Sequence, residues 1–197
     1  MTDPASISDF DESAPSPADT ETATFALGCF WGPDATFGAR AGVVRTRVGY
    51  AGGEMPDPTY HDLGGHSEAI QVEYDPETVD FDDLVDLAIE NHDPRTQPRK
   101  RQYQHVLFYE GSEQHSVIAA RLDALAIDDP ATRVEPLDAF HLAEPYHQKY
   151  SLRNKRAIWS AFEDAGYEES AIRESPAAAK LNAEVTGKSV PAIDGVL

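Results

Sequence analysis

The spacing of apolar positions changes period several times along the chain, and each change marks an element. Thr22 to Gly28 (Thr-Ala-Thr-Phe-Ala-Leu-Gly) reads as a strand. A helix is expected from about Trp31 to Arg40, with Pro33 suited to its opening turn, where a missing N–H costs nothing. From Val43 to Tyr50, Val44, Thr46, Val48 and Tyr50 alternate with Val43, Arg45, Arg47 and Gly49, a half-buried strand pattern broken only at Val43. Glu68 to Tyr74 is a third strand with Ile70, Val72 and Tyr74 on one face. Phe81, Leu84, Val85, Ala88 and Ile89 return to helical spacing, and His92-Asp93-Pro94 stops that helix. Gln104 to Tyr109 is a fourth strand, Ser112 to about Ala126 a helix, and Thr132 to Leu137 a short edge strand. The order β-α-β-β-α-β is that of a split βαβ, ferredoxin-like plait. The predicted class is therefore α/β (α+β), with extra C-terminal helices from about Pro145 to Glu184 wrapped on that core.

Composition adds boundaries and partners. Residues 1–20 hold no basic residue and few large apolar ones, so a disordered acidic tail is expected there. The α/β domain is expected over 21–150, and a helical extension packing on the same domain over 151–197. No apolar run is long enough to cross a bilayer, and the N-terminus lacks a signal-peptide pattern. A single cysteine excludes an intramolecular disulfide, and cytoplasm is the expected compartment. Asp and Glu number 35 against 16 Lys and Arg, a formal net charge of −19. Such a surface repels nucleic acid and anionic membranes, so neither is expected as a partner, and a monomer is expected. A hydrophobic content of 41%, periodically placed, excludes wholesale disorder. The preferred reading of the charge is a halophilic setting: at about 1 M salt the Debye length is ~3 Å and self-repulsion is screened. Structure is then expected to be lost steeply at low salt.

Chemistry concentrates at Cys29, which sits in Gly28-Cys29-Phe30-Trp31-Gly32 between strand and helix. The positive end of a helix favours a thiolate there. A lone cysteine is more commonly a small buried hydrophobe, but two adjacent aromatics and the strand–Cys–helix setting favour a nucleophile. Glu68 shares strand parity with Ile70, Val72 and Tyr74, which puts a carboxyl on the inward face, where desolvation raises its pKa. An exposed glutamate at a frayed strand start is an equal alternative on parity alone. The seven histidines hold no close pair at metal-ligand spacing, so no metal site is expected. His66 and His147 read as hydrogen-bonding scaffold. No glycine-rich segment has phosphate-loop spacing.

Gly28-Cys29-Phe30-Trp31-Gly32 is followed by Gly42-Val43-Val44-Arg45-Thr46-Arg47-Val48-Gly49-Tyr50-Ala51-Gly52-Gly53, Pro58-Thr59-Tyr60, Gly65-His66-Ser67-Glu68-Ala69-Ile70 and Val72-Glu73-Tyr74-Asp75-Pro76. Then come His92-Asp93-Pro94, Gln102-Tyr103 and Tyr146-His147-Gln148. In this order, over roughly Phe25 to Tyr150, the chain resembles the A-type peptide methionine sulfoxide reductases. The resemblance implies reduction of methionine-S-sulfoxide, free or in proteins, without metal or organic cofactor. Cys29 would attack the sulfoxide sulfur as thiolate and end as a sulfenic acid, and Glu68 would protonate the oxygen. Tyr60 and Tyr103 match the tyrosines that hydrogen-bond that oxygen. Phe30 and Trp31 match the aromatic pocket for the substrate methyl group, which suits a sulfur-bearing methyl. On residue type alone, the tyrosines are equally amphipathic surface or core residues, and Phe30 and Trp31 packing against the sheet.

Three features depart from the family pattern. No second cysteine is present to form a disulfide, so an external thiol (a thioredoxin, a glutaredoxin or a small thiol) must regenerate Cys29. The loop before Gln102-Tyr103 is shortened to Arg95-Thr96-Gln97-Pro98-Arg99-Lys100-Arg101 and lacks the family's aspartate. The favoured reading of that loop is that its cations pair with the acidic surface; the competing one is an anion or small acidic thiol held near Cys29. The stretch from Tyr60 to Glu68 is also shorter. The rival functions are a thiol peroxidase-like enzyme and a non-catalytic redox sensor, both using Cys29.

Overall fold

A computed structural model describes residues 2–193. Met1, the first residue of the expected tail, and residues 194–197, the end of the expected extension, lie outside the described residues. The sheet is built from β1 (Glu21–Leu27), β2 (Val43–Ala51), β3 (Ser67–Tyr74) and β4 (His105–Tyr109), with β5 (Arg133–Pro136) and β6 (Phe140–Leu142) at its edges. Its order is β5-β4-β1-β3-β2-β6. β1 is antiparallel to β3 and β4, and β2 to β3, so the inner four strands form the split βαβ plait read from the sequence. β5 runs parallel to β4 at the edge anticipated for it. β6, only three residues long, was not anticipated, because so short a strand carries no alternation to read.

The interruption at Val43 is a β-bulge. Val43 pairs with Tyr74 and Arg45 with Glu73, which leaves Val44 as the extra residue. Both valines are buried as a result, and Thr46, Val48 and Tyr50 then keep the inward parity. On that face the strands meet α2 (Trp31–Ala39), α3 (Phe81–Glu90) and α4 (Ser112–Ala124). Phe25, Ile70 and Val72 pack against Phe37, Leu84, Val85 and Ile118, each such side chain contributing about 1.5–3 kcal/mol. The opposite face is thinner, with Ala26, Ala51, Ala69, Val106 and Phe108 under Leu137 and Phe140. Gly49 is required where β6 crosses it: a Cβ would lie 2.3 Å from the His141 carbonyl oxygen.

Residues 2–20 do not form the disordered tail. α1 (Pro4–Ser13) buries Ile7 completely in a cluster with Leu152, Phe162, Ile172 and Leu181, and Phe10 packs beside it. Asp11 accepts hydrogen bonds from the Ala177 N–H at 2.7 Å and the Tyr167 hydroxyl at 2.9 Å. Its carboxylate thereby helps cap α8 (Pro176–Glu184), whose N-cap Ser175 accepts from Ala178. Ile7, Phe10 and Asp11 lie at i, i+3 and i+4, a helical stripe outweighed in the sequence by the acidic, proline-rich composition around it. The remaining C-terminal helices are α5 (Tyr150–Arg153), α6 (Arg156–Asp164) and α7 (Glu169–Glu174). α8 lies on α2, where Lys180 donates to the Gly38 and Arg40 carbonyls and Asn182 donates to Asp34. No helix among the described residues is long and apolar enough to cross a membrane.

Candidate active site

One end of the sheet collects the chemistry. Cys29 follows β1, Glu68 opens β3, Gln102 and Tyr103 precede β4, and Tyr60 lies in the connection between β2 and β3. The register sets Tyr50 opposite Glu68 on the inward face. Gly28 makes the turn out of β1 at φ +87°, a conformation that suits glycine, and places Cys29 one residue before Phe30, the N-cap of α2.

Glu68 is 1% exposed on the inward face, and the frayed alternative is overturned. Its Oε2 accepts from the Phe30 N–H at 3.1 Å, the residue beside Cys29, and its Oε1 accepts from Gln102 Nε2 at 2.5 Å. Burial pushes the carboxyl above its ordinary value, against the two hydrogen bonds and the charge of Lys100. Both hydrogen-bond donors are neutral. Cys29 is exposed and free. Local burial pushes its thiol up, the Trp31 N–H pulls it down, and the Glu68 charge adds to the rise. The helix start contributes one N–H toward the thiolate, against burial and the Glu68 charge, which set the net direction the other way. A proton on Glu68 removes the carboxylate's opposing charge, so the acid and the thiolate are each easier to form when the other is.

Tyr103 joins the group. Its hydroxyl is pushed up by burial, by the charge of Glu68, by the charge of and a hydrogen bond with Tyr60, and by Cys29. The four residues singled out in the sequence as catalytic thus converge. Phe30 is buried against Val48, Tyr50 and Ala143, with Trp31, Tyr60 and Leu63 at the margin. Trp31 stacks on Tyr150 with ring centroids 3.7 Å apart and planes 8° from parallel. His147 lies inside this aromatic set, 5.2 Å from Phe30 and 4.7 Å from Tyr60 by ring centroids. It is buried, burial pushes it below its ordinary value, and among the described residues neither ring nitrogen has a hydrogen-bond partner. The scaffold role expected for His147 is therefore replaced by packing. His66 does pin a loop, accepting from the Gly53 N–H and bonding the Met55 carbonyl.

Several supporting residues went unnoticed in the sequence. Glu144 accepts from the Tyr50 hydroxyl at 2.7 Å and the Tyr60 N–H at 2.9 Å, which holds the Tyr60 loop over the site. Against its partial burial, these donors keep its carboxyl below the ordinary value. Gln148 accepts from the Val48 N–H and donates to the Val48 and Ala143 carbonyls, tying the 143–148 segment to β2. Lys149, fully buried at φ +49°, reaches Asp34 of α2 and both oxygens of Thr46. That network fixes the Cys29 turn to β2. Tyr146-His147-Gln148 marked the region, but a lone Glu or Lys beside it offers no spacing to read. Among the described residues, no group of three His, Cys, Asp or Glu could hold a metal ion.

The expected pairing of the 95–101 cations with surface acids is also overturned. Among the described residues, Arg95 alone of these cations approaches a carboxylate, Asp93, at 3.9 Å. Arg101 instead donates to the Gly65 and Gly52 carbonyls at 2.9 Å each.

The family model for peptide methionine sulfoxide reductase matches residues 21–178. A peptide methionine sulfoxide reductase of Drosophila melanogaster is 39% identical over 171 residues, covering 84% of this chain and 68% of its own length. One from Methanothermobacter thermautotrophicus is 41% identical over 150 residues, covering 69% and 89%. Among solved structures, methionine sulfoxide reductase A of Corynebacterium diphtheriae superposes with a TM-score of 0.61 at 33% identity, covering 70% of this chain and 76% of that one. Reduced Mxr1 from Saccharomyces cerevisiae gives 0.59 at 28% identity, covering 72% and 89%.

Proposed function

We propose that Cys29 and Glu68 carry the reaction of this chain, which belongs to the peptide methionine sulfoxide reductase family and is an oxidoreductase that reduces methionine sulfoxide. Cys29 as thiolate attacks the sulfoxide sulfur while Glu68 gives its proton to the oxygen. The substrate S–O bond breaks, the oxygen passes to Cys29 as the transient bond between the two sulfurs breaks, and methionine and a sulfenic acid remain; the substrate sulfur gains two electrons and the cysteine sulfur loses them. Tyr60 and Tyr103 hydrogen-bond the oxygen as charge develops on it. Phe30 and Trp31 take the methyl group. Two external thiols then return the cysteine to its reduced form.

The observation that carries this reading is Glu68: buried, bound only by neutral donors, one of them the N–H beside Cys29. Sulfoxide oxygen leaves poorly unless protonated, and a carboxyl so placed holds a proton to give. The rest of the chain is read to match. The helices after 150 belong to the catalytic domain rather than standing apart. The protein works as a monomer in a cytoplasm of high salt. Among the described residues the exposed large apolar side chains are Leu142, Tyr146 and Tyr150, and the two tyrosines flank the candidate site.

Mixing the protein with each methionine sulfoxide epimer in concentrated KCl, without reductant, tests the reading. It predicts one methionine per protein from the S epimer and none from Cys29→Ser. Peroxide consumed faster than sulfoxide would favour the peroxidase, and cysteine oxidation without methionine the sensor.

A further inference from the structure

We infer that the 95–101 loop selects a small anionic thiol, one bearing carboxylates, as the reductant that regenerates Cys29. The inference rests on Cys29 being the nucleophile and names the partner its second half-reaction needs. The chain has no other cysteine, and Cys29 is exposed, so the reducing thiol comes from outside and can reach it.

Four of the chain's 16 basic residues fall in the seven positions 95–101, with no acid among them, on a protein of net charge −19. Arg101 is used on two carbonyls and Arg95 lies at the edge of reach of Asp93. Arg99 and Lys100 are exposed, and among the described residues no carboxylate lies within ion-pairing distance of either. Lys100 is at the site itself: its Nζ stands 5.0 Å from the centroid of the Tyr103 ring. There its charge opposes protonation of Glu68, which is adverse to sulfoxide reduction. It serves the other half of the cycle, where a nearby cation raises the population of an attacking thiolate and binds a carboxylate on the same molecule.

Salt decides the size of the partner. At about 1 M the Debye length is ~3 Å, so attraction acts only near contact. A carboxylate on a small thiol can pair directly with Arg99 or Lys100. A protein reductant brings a carboxylate into such contact only where its docked shape puts one there, whereas a small thiol is free to place its own.

The steps balance. The thiolate sulfur attacks the Cys29 sulfenic acid, forming a mixed disulfide and releasing the oxygen as water with the two protons of the reactants. A second thiol attacks the mixed disulfide, leaving Cys29 reduced and the two small thiols joined as their own disulfide. The pair of thiols loses two electrons and Cys29 gains them.

The test uses the full chain oxidised by one equivalent of methionine sulfoxide, then mixed with mercaptopropionate, mercaptoethanol or cysteamine at equal thiolate concentration. Loss of the sulfenic acid is followed in the wild type, Arg99→Gln/Lys100→Gln and Arg99→Glu/Lys100→Glu. The anionic thiol should outpace the cationic one by about tenfold in the wild type. That preference should fall toward unity in the glutamine variant and invert in the glutamate variant, whose folding is checked by its methionine burst. Rates independent of thiol charge would overturn the inference, as would rapid reduction by a thioredoxin alone. Absence of the methionine burst would instead remove the reading of Cys29 on which the inference rests.

Discussion

Glu68 and Glu73 lie on the same strand, five residues apart, and both are buried, at 1% and 4% exposure. Their parity differs, so they face opposite sides of the sheet. Glu73 sits between two guanidiniums, with Arg45 Nη1 at 2.5 Å and Arg47 Nη2 at 2.9 Å, and also accepts from Thr20. Arg47 continues to Glu174 of α7, so this carboxylate ties strands to the C-terminal helices. Glu68 has an amide N–H and a glutamine for partners. Charged partners make one glutamate a tie between strands and helices that holds the fold. Neutral partners leave the other able to keep a proton, and Cys29 lies beside it. Burial alone does not fit a carboxyl to give up a proton; its partners decide whether it can hold one.

The contrast can be broken from either side. Replacing Glu68 by Gln removes the proton donor while keeping shape and hydrogen-bonding capacity. The methionine burst should slow by about a hundredfold to ten-thousandfold with the fold intact. Replacing Glu73 by Gln should do the reverse. It leaves two half-buried guanidiniums short of a carboxylate, costing about 1–3 kcal/mol in denaturant unfolding, while the folded fraction keeps its burst rate. Equal loss of activity in both variants would erase the distinction.

Two smaller effects sharpen it. Gln102→Leu removes a hydrogen bond that holds the Glu68 carboxyl down, so the alkaline limb of the burst rate should move to higher pH; an unmoved limb would mean another group sets it. Stability carries the same sign. Because folding raises the Glu68 pKa, the native state binds the proton more tightly than the unfolded chain. Its stabilising share is full below the ordinary carboxylate range and is lost as pH rises through the raised value. Melting curves of wild type and Glu68→Gln should therefore diverge in favour of the variant as pH rises through that window. Parallel curves would show that Glu68 ionises as it does in the unfolded chain.

Much of this was legible in the chain. Period-two runs placed the four inner strands, and parity placed Glu68 on the buried face, because strand geometry converts position into direction. The motif order brought Cys29, Glu68, Tyr60, Tyr103, Phe30 and Trp31 together. What escaped depends on long-range contact. α1 was hidden because Ile7 and Phe10 are too few apolar residues to outweigh the acidic composition, and their partners lie at 152–181. Glu144, Gln148 and Lys149 bond to residues 84 to 115 positions away, which no local pattern announces. The net direction at Cys29 was missed for a similar reason: a helix start is local, whereas desolvation and the Glu68 charge are set by the assembled site.

The most direct measurement of the central claim is the pH dependence of the methionine burst, in wild type and Glu68→Gln side by side. Delivery of the proton by Glu68 predicts a wild-type rate that falls on the alkaline side as the carboxyl ionises. The variant should be slow throughout and lack that limb. A variant that keeps both the rate and the profile would contradict the assignment of Glu68 as the acid.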